Sequence, residues 1–198
     1  MKRISLLIAG LALLSVGCSQ KPAEAVNGAK SALAAAQTAE AADYAPGAFA
    51  AAQSADAALA AELKAQDEKF ALTRSYTKAA ELAAAAKSAA DAAAAQAVTG
   101  KEQAKAEAAG LATGLRASIE TAKLALAKAP VGKGSAADLA AMKSDVAGVE
   151  TSLADIDGAI AAGRYKDAKL KAEAAGATLQ KVVADVQAAI AAKKAAKR

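Results

Sequence analysis

The 198-residue chain is 55% hydrophobic but only 3% aromatic, carries a formal charge of +5, and has one cysteine, no histidine and no tryptophan. These counts exclude histidine-dependent catalytic triads, the mixed His/Cys ligand sets of zinc sites, and an internal disulfide. Roughly a third of the residues are alanine, with Lys, Glu, Gln and Leu beside it, all strong helix formers, while β-branched and aromatic residues are too sparse for a sheet. The expected fold is all-α: an elongated antiparallel helical bundle or set of coiled-coil hairpins, about five helices with one long central helix.

In chain order, Lys2 and Arg3 precede an uncharged run from Ile4 to Val16, followed by Gly17, Cys18 and Ser19. A basic start, an apolar stretch of about a dozen residues and a small residue before the cut describe a secretory leader, too short to cross a bilayer as a finished anchor, which takes roughly 20 residues. Leu14-Ser15-Val16-Gly17-Cys18 resembles the lipobox of bacterial lipoproteins, with Ser15 standing where the commonest boxes carry Leu. The resemblance implies a leader of residues 1–17 that is removed, and a Cys18 that is acylated on sulfur and on its new amine. The alternative, an ordinary leader with an incidental cysteine, leaves a free exposed thiol. In such lipoproteins an Asp after the Cys marks inner-membrane retention. Ser19 lacks that mark, so the outer membrane, periplasmic face, is the expected location and the inner membrane the lesser one. Cleavage removes two of the five net charges, leaving +3.

Residues 18–23 form a short tether, because Pro22 bars an early helix interior. A first helix is expected from Glu24 to about Ala42, ended by Asp43-Tyr44-Ala45-Pro46-Gly47. A second runs from Gly47 to Ala65 with a stripe of Phe49, Ala52, Ala55, Leu59 and Leu63. Gln66-Asp67-Glu68-Lys69 is the expected reversal, although neither Gly nor Pro marks it.

The third helical stretch, Phe70 to Ala127, is the long one. Tyr76, Ala79, Ala83, Ala86, Ala90, Ala93 and Ala97 alternate three- and four-residue spacings, an a/d rhythm filled almost wholly with alanine. Val98-Thr99-Gly100 is a candidate kink. Ala104, Ala108, Leu111, Leu115, Ile119, Ala122 and Leu126 continue the stripe. Ala129 to Gly134 forms a loop, and Ser135 an N-cap. The fourth helix carries Leu139, Met142, Val146, Val149, Leu153, Ile156 and Ile160 at heptad spacing, with Gly163 as its C-cap. The fifth starts near Arg164 and keeps the rhythm through Tyr165, Ala168, Ala172, Ala175, Leu179, Val182 and Val186. The helical bundle is expected to span residues 24–192 and to end in a basic stretch, 193–198.

Arg74-Ser75-Tyr76 and Arg164-Tyr165 occupy similar contexts 89 residues apart at the tyrosines, so each tyrosine is expected to plug a joint between antiparallel helices. Tyr44-Ala45-Pro46 and the helix pair around it resemble a family of bacterial lipoproteins of unknown function, the DUF4398 type, over roughly Val26 to Ala95. That resemblance implies a periplasmic helical hairpin and no known chemistry. A buried Leu contributes about 1.5–3 kcal/mol and each CH2 about 0.8. The Leu/Ile/Val faces of 111–126, 139–160 and 179–190 should therefore form the tighter core, and 83–97 a thinner one.

Few residues suit catalysis. Asp145, Glu150, Asp155 and Asp157 could pair as carboxylates do in glycosidases, but on a helix they read as the solvated face opposite the heptad stripe. Asp155-Ile156-Asp157-Gly158 lacks the remaining ligands of a calcium loop, and Val131-Gly132-Lys133-Gly134-Ser135 lacks the opening glycine of a phosphate loop. The expectation is no enzyme, no cofactor, no metal and no catalytic residue, with Cys18 the one site. The terminal lysines read as cations suited to a helix C-terminus rather than a nucleic-acid patch. The expected function is a membrane-anchored periplasmic lipoprotein with a structural or scaffold role, touching an envelope protein or peptidoglycan and open to self-association through its heptad seams. The alternative is a helical binding module or chaperone-like carrier for an apolar ligand, a client helix or an envelope anion.

Overall fold

The computed structural model describes residues 20–130 and 136–196. Among them the chain is all-helical. Six α-helices follow one another: α1 (Ala23–Thr38), α2 (Ala41–Tyr44), α3 (Pro46–Asp67), α4 (Thr77–Ala127), α5 (Ala136–Ala161) and α6 (Tyr165–Ala195). Two compact units divide the chain, Met1–Ala97 and Val98–Arg198. Cys18, Ser135, and Lys197 and Arg198 of the basic end lie outside the described residues.

In the first unit, Pro22 sets the start of α1, and the Val26 amide donates to the Pro22 carbonyl at 3.0 Å. The helix ends at Thr38 rather than Ala42. Glu40 takes a left-handed φ of 59°, the one positive φ among the described non-glycine residues, and the four-residue α2 follows. A left-handed non-glycine residue costs about 1–2 kcal/mol. The reversal is offset by burial of Ala36, Ala41 and Ala45 around Phe49. Pro46 then opens α3 at its first turn, where a missing N–H costs nothing. Early residues of α1 (Val26, Ala29) cluster with early residues of α4 (Ala79, Ala83, Ala86), and late with late (Ala32, Ala36 with Ala90, Ala93, Ala97), so these helices run parallel. Late α3 (Leu59) clusters with Tyr76 and Ala79 and early α3 (Phe49, Ala52) with Ala90, Ala93 and Ala97, so α3 runs antiparallel to α4, and Lys78 reaches Glu62 at 3.3 Å. The first unit is an up-down-up set of three long helices.

The second unit repeats that plan. The C-terminal part of α4 runs antiparallel to α5, as Arg116–Asp157 at 2.6 Å and Lys123–Glu150 require, and parallel to α6, as Lys169–Glu107 at 2.7 Å together with the groove that Ser118 and Thr121 share with Val183 and Gln187 requires. Gly163, with φ 74°, ends α5: the Arg164 amide donates to the Ala159 carbonyl and the Gly163 amide to that of Ile160, a Schellman closure at the expected residue. The basic residues Lys193 and Lys194 sit in the last turn of α6.

One expectation about the long helix needs correction. It begins at Thr77, not near Phe70, because residues 68–76 form a loop with a single 3-10 turn, Ala71–Thr73. It runs without interruption through Val98-Thr99-Gly100. One glycine lowers helix stability by about 1 kcal/mol against alanine, too little to interrupt a helix packed on either side. What changes there is the seam: Ala93, Ala97 and Lys101 follow at successive spacings of four, and Lys101 and Ala104 are only half-buried.

Candidate functional site

The end of the first unit from which the chain leads back toward Cys18 is the most elaborated polar structure in the described residues. Asp67, the last residue of α3, accepts a hydrogen bond from Lys21 Nζ at 2.7 Å on one carboxylate oxygen and from the Tyr76 hydroxyl at 2.7 Å on the other. The two donors hold its carboxyl below the usual aspartate range, Lys21 foremost. The same contact, with burial of the ring, pushes the Tyr76 phenol upward. Tyr76 is buried against Val26, Leu59, Ala79 and Ala83, so it plugs the α3–α4 joint as its position in the sequence suggested. Tyr165 holds the corresponding place at the α5–α6 joint, half-buried against the second core.

Helix α3 stops without glycine or proline: the Glu68 and Lys69 amides close on the Lys64 and Gln66 carbonyls, and a side chain captures the carbonyl of its last residue, Asp67. Arg74 donates to the carbonyl oxygens of Asp67 and Lys69, each at 2.9 Å. Gln66, at 6% exposure the one buried side chain of the polar or charged residue types among the described residues, accepts from the Ser75 amide at 3.1 Å and donates to Glu62 at 2.7 Å. That bond, with Lys78 beside it, lowers the Glu62 carboxyl. Thr73 Oγ1 bonds the Phe70 carbonyl at 2.9 Å. On this braced loop Phe70 and Leu72 stand 72% and 82% exposed. Sequence reasoning missed both. The available signal was their position: two large apolar residues off the stripe that Tyr76 and Ala79 begin.

The acidic candidates are not brought together. All four are exposed on α5. Asp157 faces Arg116, and Glu150 faces Lys123, whose ammonium is raised by Glu150 and Glu120. Asp145 lies on the side of Lys181, which Asp185 chiefly raises, and Asp155 shares a groove with Lys171. These are partly exposed pairs of the kind that contribute little to stability. Among the described residues no group of three or more His, Cys, Asp or Glu is placed to hold a metal ion.

Shallow grooves follow the helix seams. One, of about 300 Å³, lies between α4 and α6 along Ser118, Thr121, Val183 and Gln187. Another, of about 440 Å³, lies between α1 and α3, with Val26, Leu59 and Leu63 at its floor and Lys21, Lys30 and Asp56 at its rim. No helix of the described residues is long and apolar enough to cross a membrane. No protein-family model, curated protein or solved structure matches this chain.

Proposed function

We propose that this protein is an acyl-anchored lipoprotein of the bacterial envelope, seated on the periplasmic face of the outer membrane, whose helices serve as a non-catalytic scaffold for an envelope protein or peptidoglycan. The observation that carries the reading is the lone cysteine at the end of an uncharged leader-like run, Leu14 to Cys18. Two further features support it. Helix α1 begins at Ala23, so only a short segment separates the anchor from the folded unit. The described surface is a mosaic of exposed ion pairs and shallow seams, suited to helix-against-helix recognition.

Metabolic labelling with a clickable fatty acid tests it. Wild type takes up label and sediments with outer membranes, whereas Cys18→Ala loses both. Unlabelled wild type, or a leader retained in the cytosolic fraction, overturns the reading. Crosslinking in cells then separates scaffold from carrier: protein or cell-wall adducts belong to the scaffold, co-purifying lipid to the carrier.

A further inference from the structure

Among the described residues six large apolar side chains stand clear of the core. Val98, Leu124, Leu170 and Ile190 are scattered on separate helix turns, as isolated surface apolar residues normally are. Phe70 and Leu72 are different. They are the two most exposed, they lie two residues apart in one loop, and that loop is fixed by Arg74, Gln66 and Thr73 rather than left loose. Holding two apolar side chains in water on a braced loop has no benefit to the fold, so their use lies in what they meet.

The surroundings indicate what that is. The loop reads Lys69-Phe70-Ala71-Leu72-Thr73-Arg74, apolar residues between two cations, and Lys21, Lys64 and Lys78 stand at the same end of the unit. Glu24, Glu62, Asp67, Glu68 and Glu81 offset those five cations across the end as a whole, so the positive charge that matters is the local pair on the loop itself, Lys69 and Arg74. Apolar tips flanked by cations match the acyl–headgroup boundary of an anionic lipid surface. Chain length puts that surface within reach. Lys21 is pinned to Asp67 at 2.7 Å, and a residue spans at most about 3.3–3.6 Å, so Cys18 lies no farther than about 11 Å from Lys21.

We propose that residues 68–75 form a membrane-docking loop, with Phe70 and Leu72 entering the lipid boundary beside the acyl chains on Cys18 and Lys69 and Arg74 meeting anionic headgroups. The proposal rests on the lipid-anchor reading for its geometry. Acyl chains alone would leave the first unit free to swivel on its tether. A second contact, made intramolecular by so short a tether, fixes which end faces the bilayer, and it needs little intrinsic affinity to do so.

The chain's lack of tryptophan supplies the test. Phe70→Trp places a sole reporter on the loop, and Ala42→Trp places one on α2, at the opposite end of α1. Each mature, acylated variant is reconstituted in phosphatidylethanolamine–phosphatidylglycerol vesicles, with far-UV circular dichroism confirming helix content. The Phe70→Trp emission should be blue-shifted and quenched by brominated lipid several-fold more than that of Ala42→Trp. Adding Leu72→Asp to Phe70→Trp should remove most of that excess, which guards against tryptophan itself driving insertion. Solvent-like emission from Phe70→Trp in protein that floats with vesicles overturns docking and leaves the anchor standing. If mass spectrometry finds Cys18 unacylated, the anchor reading fails instead. The same variants added to vesicles without acylation then decide the loop alone: excess quenching sustains docking, and its absence ends it.

Discussion

The two units share one plan and fill it with different material. In the first, the buried apolar side chains larger than alanine among the described residues are Val26, Phe49, Leu59 and Tyr76, and the α4 contribution is Ala79, Ala83, Ala86, Ala90, Ala93 and Ala97. In the second, Leu115, Ile119, Leu126, Val146, Val149, Ile156, Leu179, Val182 and Val186 are all buried in one continuous cluster. The first unit instead breaks into two smaller clusters along its length. Up-down-up packing therefore does not require a leucine-rich seam. The α4 alanines of the first unit are as fully buried as the aliphatic residues of the second, and the α3–α4 joint adds polar contacts to that seam. The second unit should be the last to open in hydrogen exchange, and the first unit's alanine stretch the earliest.

The strongest way to break that contrast is to make the second core resemble the first. Leu179 is 1% exposed and packs with Val182, Val186 and Ile156. Leu179→Ala should cost about 2–5 kcal/mol, the sum of lost transfer energy and the cavity left behind. The loss should appear as collapse of exchange protection in α5 and α6. Protection that survives would mean that the second unit's stability does not reside in its aliphatic cluster.

The reverse substitution tests whether the first unit is closely packed or merely underfilled. Ala90 is 1% exposed, within the Ala32–Ala36–Phe49–Ala52 cluster. If the helices are in contact there, Ala90→Leu forces them apart and destabilises by about 1–3 kcal/mol. If the seam is loose, the added carbons are buried at about 0.8 kcal/mol each and the variant is more stable than wild type. The sign of the change in urea midpoint decides, and destabilisation is the expected result.

How much of this was legible beforehand follows from the same contrast. The Leu/Ile/Val face of α5 and the partner faces of α4 and α6 announce themselves by size and period. Gly163 marked its own turn, since a left-handed residue at a helix end is most easily glycine. The alanine stripe 79–97 was equally regular and is buried throughout. The misplacements occur where side-chain chemistry overrides propensity. Nothing in Glu40 signals a left-handed backbone, and Phe70-Ala71-Leu72 contains no helix breaker. It lies outside α4 because Arg74 and Gln66 claim the carbonyls and amide that a continuing helix would use. The polar joint was half visible through Tyr76. Its partners, Lys21 and Asp67, are 46 residues apart, and local patterning carries no information about such a pair.

The smallest expected effect concerns that joint and separates the units by pH. The Asp67 carboxyl titrates below its ordinary value of 3.8 because Lys21 and Tyr76 donate to its charged form. For a depressed carboxyl, the linked stabilisation is fully present above the unfolded-state value and is lost as pH falls through the folded one. Tyr76 works in the opposite direction. Its raised phenol contributes below about pH 10, the ordinary value, and is lost only as pH rises beyond it. Between pH 5 and 9, therefore, Asp67→Asn should lower the unfolding midpoint of the first unit by a small, constant amount, since the amide removes the charge that holds Lys21. Below pH 4 wild type loses the same charge by protonation, and the two proteins should converge. Exchange protection in α5 and α6 should not distinguish Asp67→Asn from wild type at any pH in this range. A gap that persists undiminished at pH 2 would show that the carboxylate's charge is not what ties Lys21 to α3.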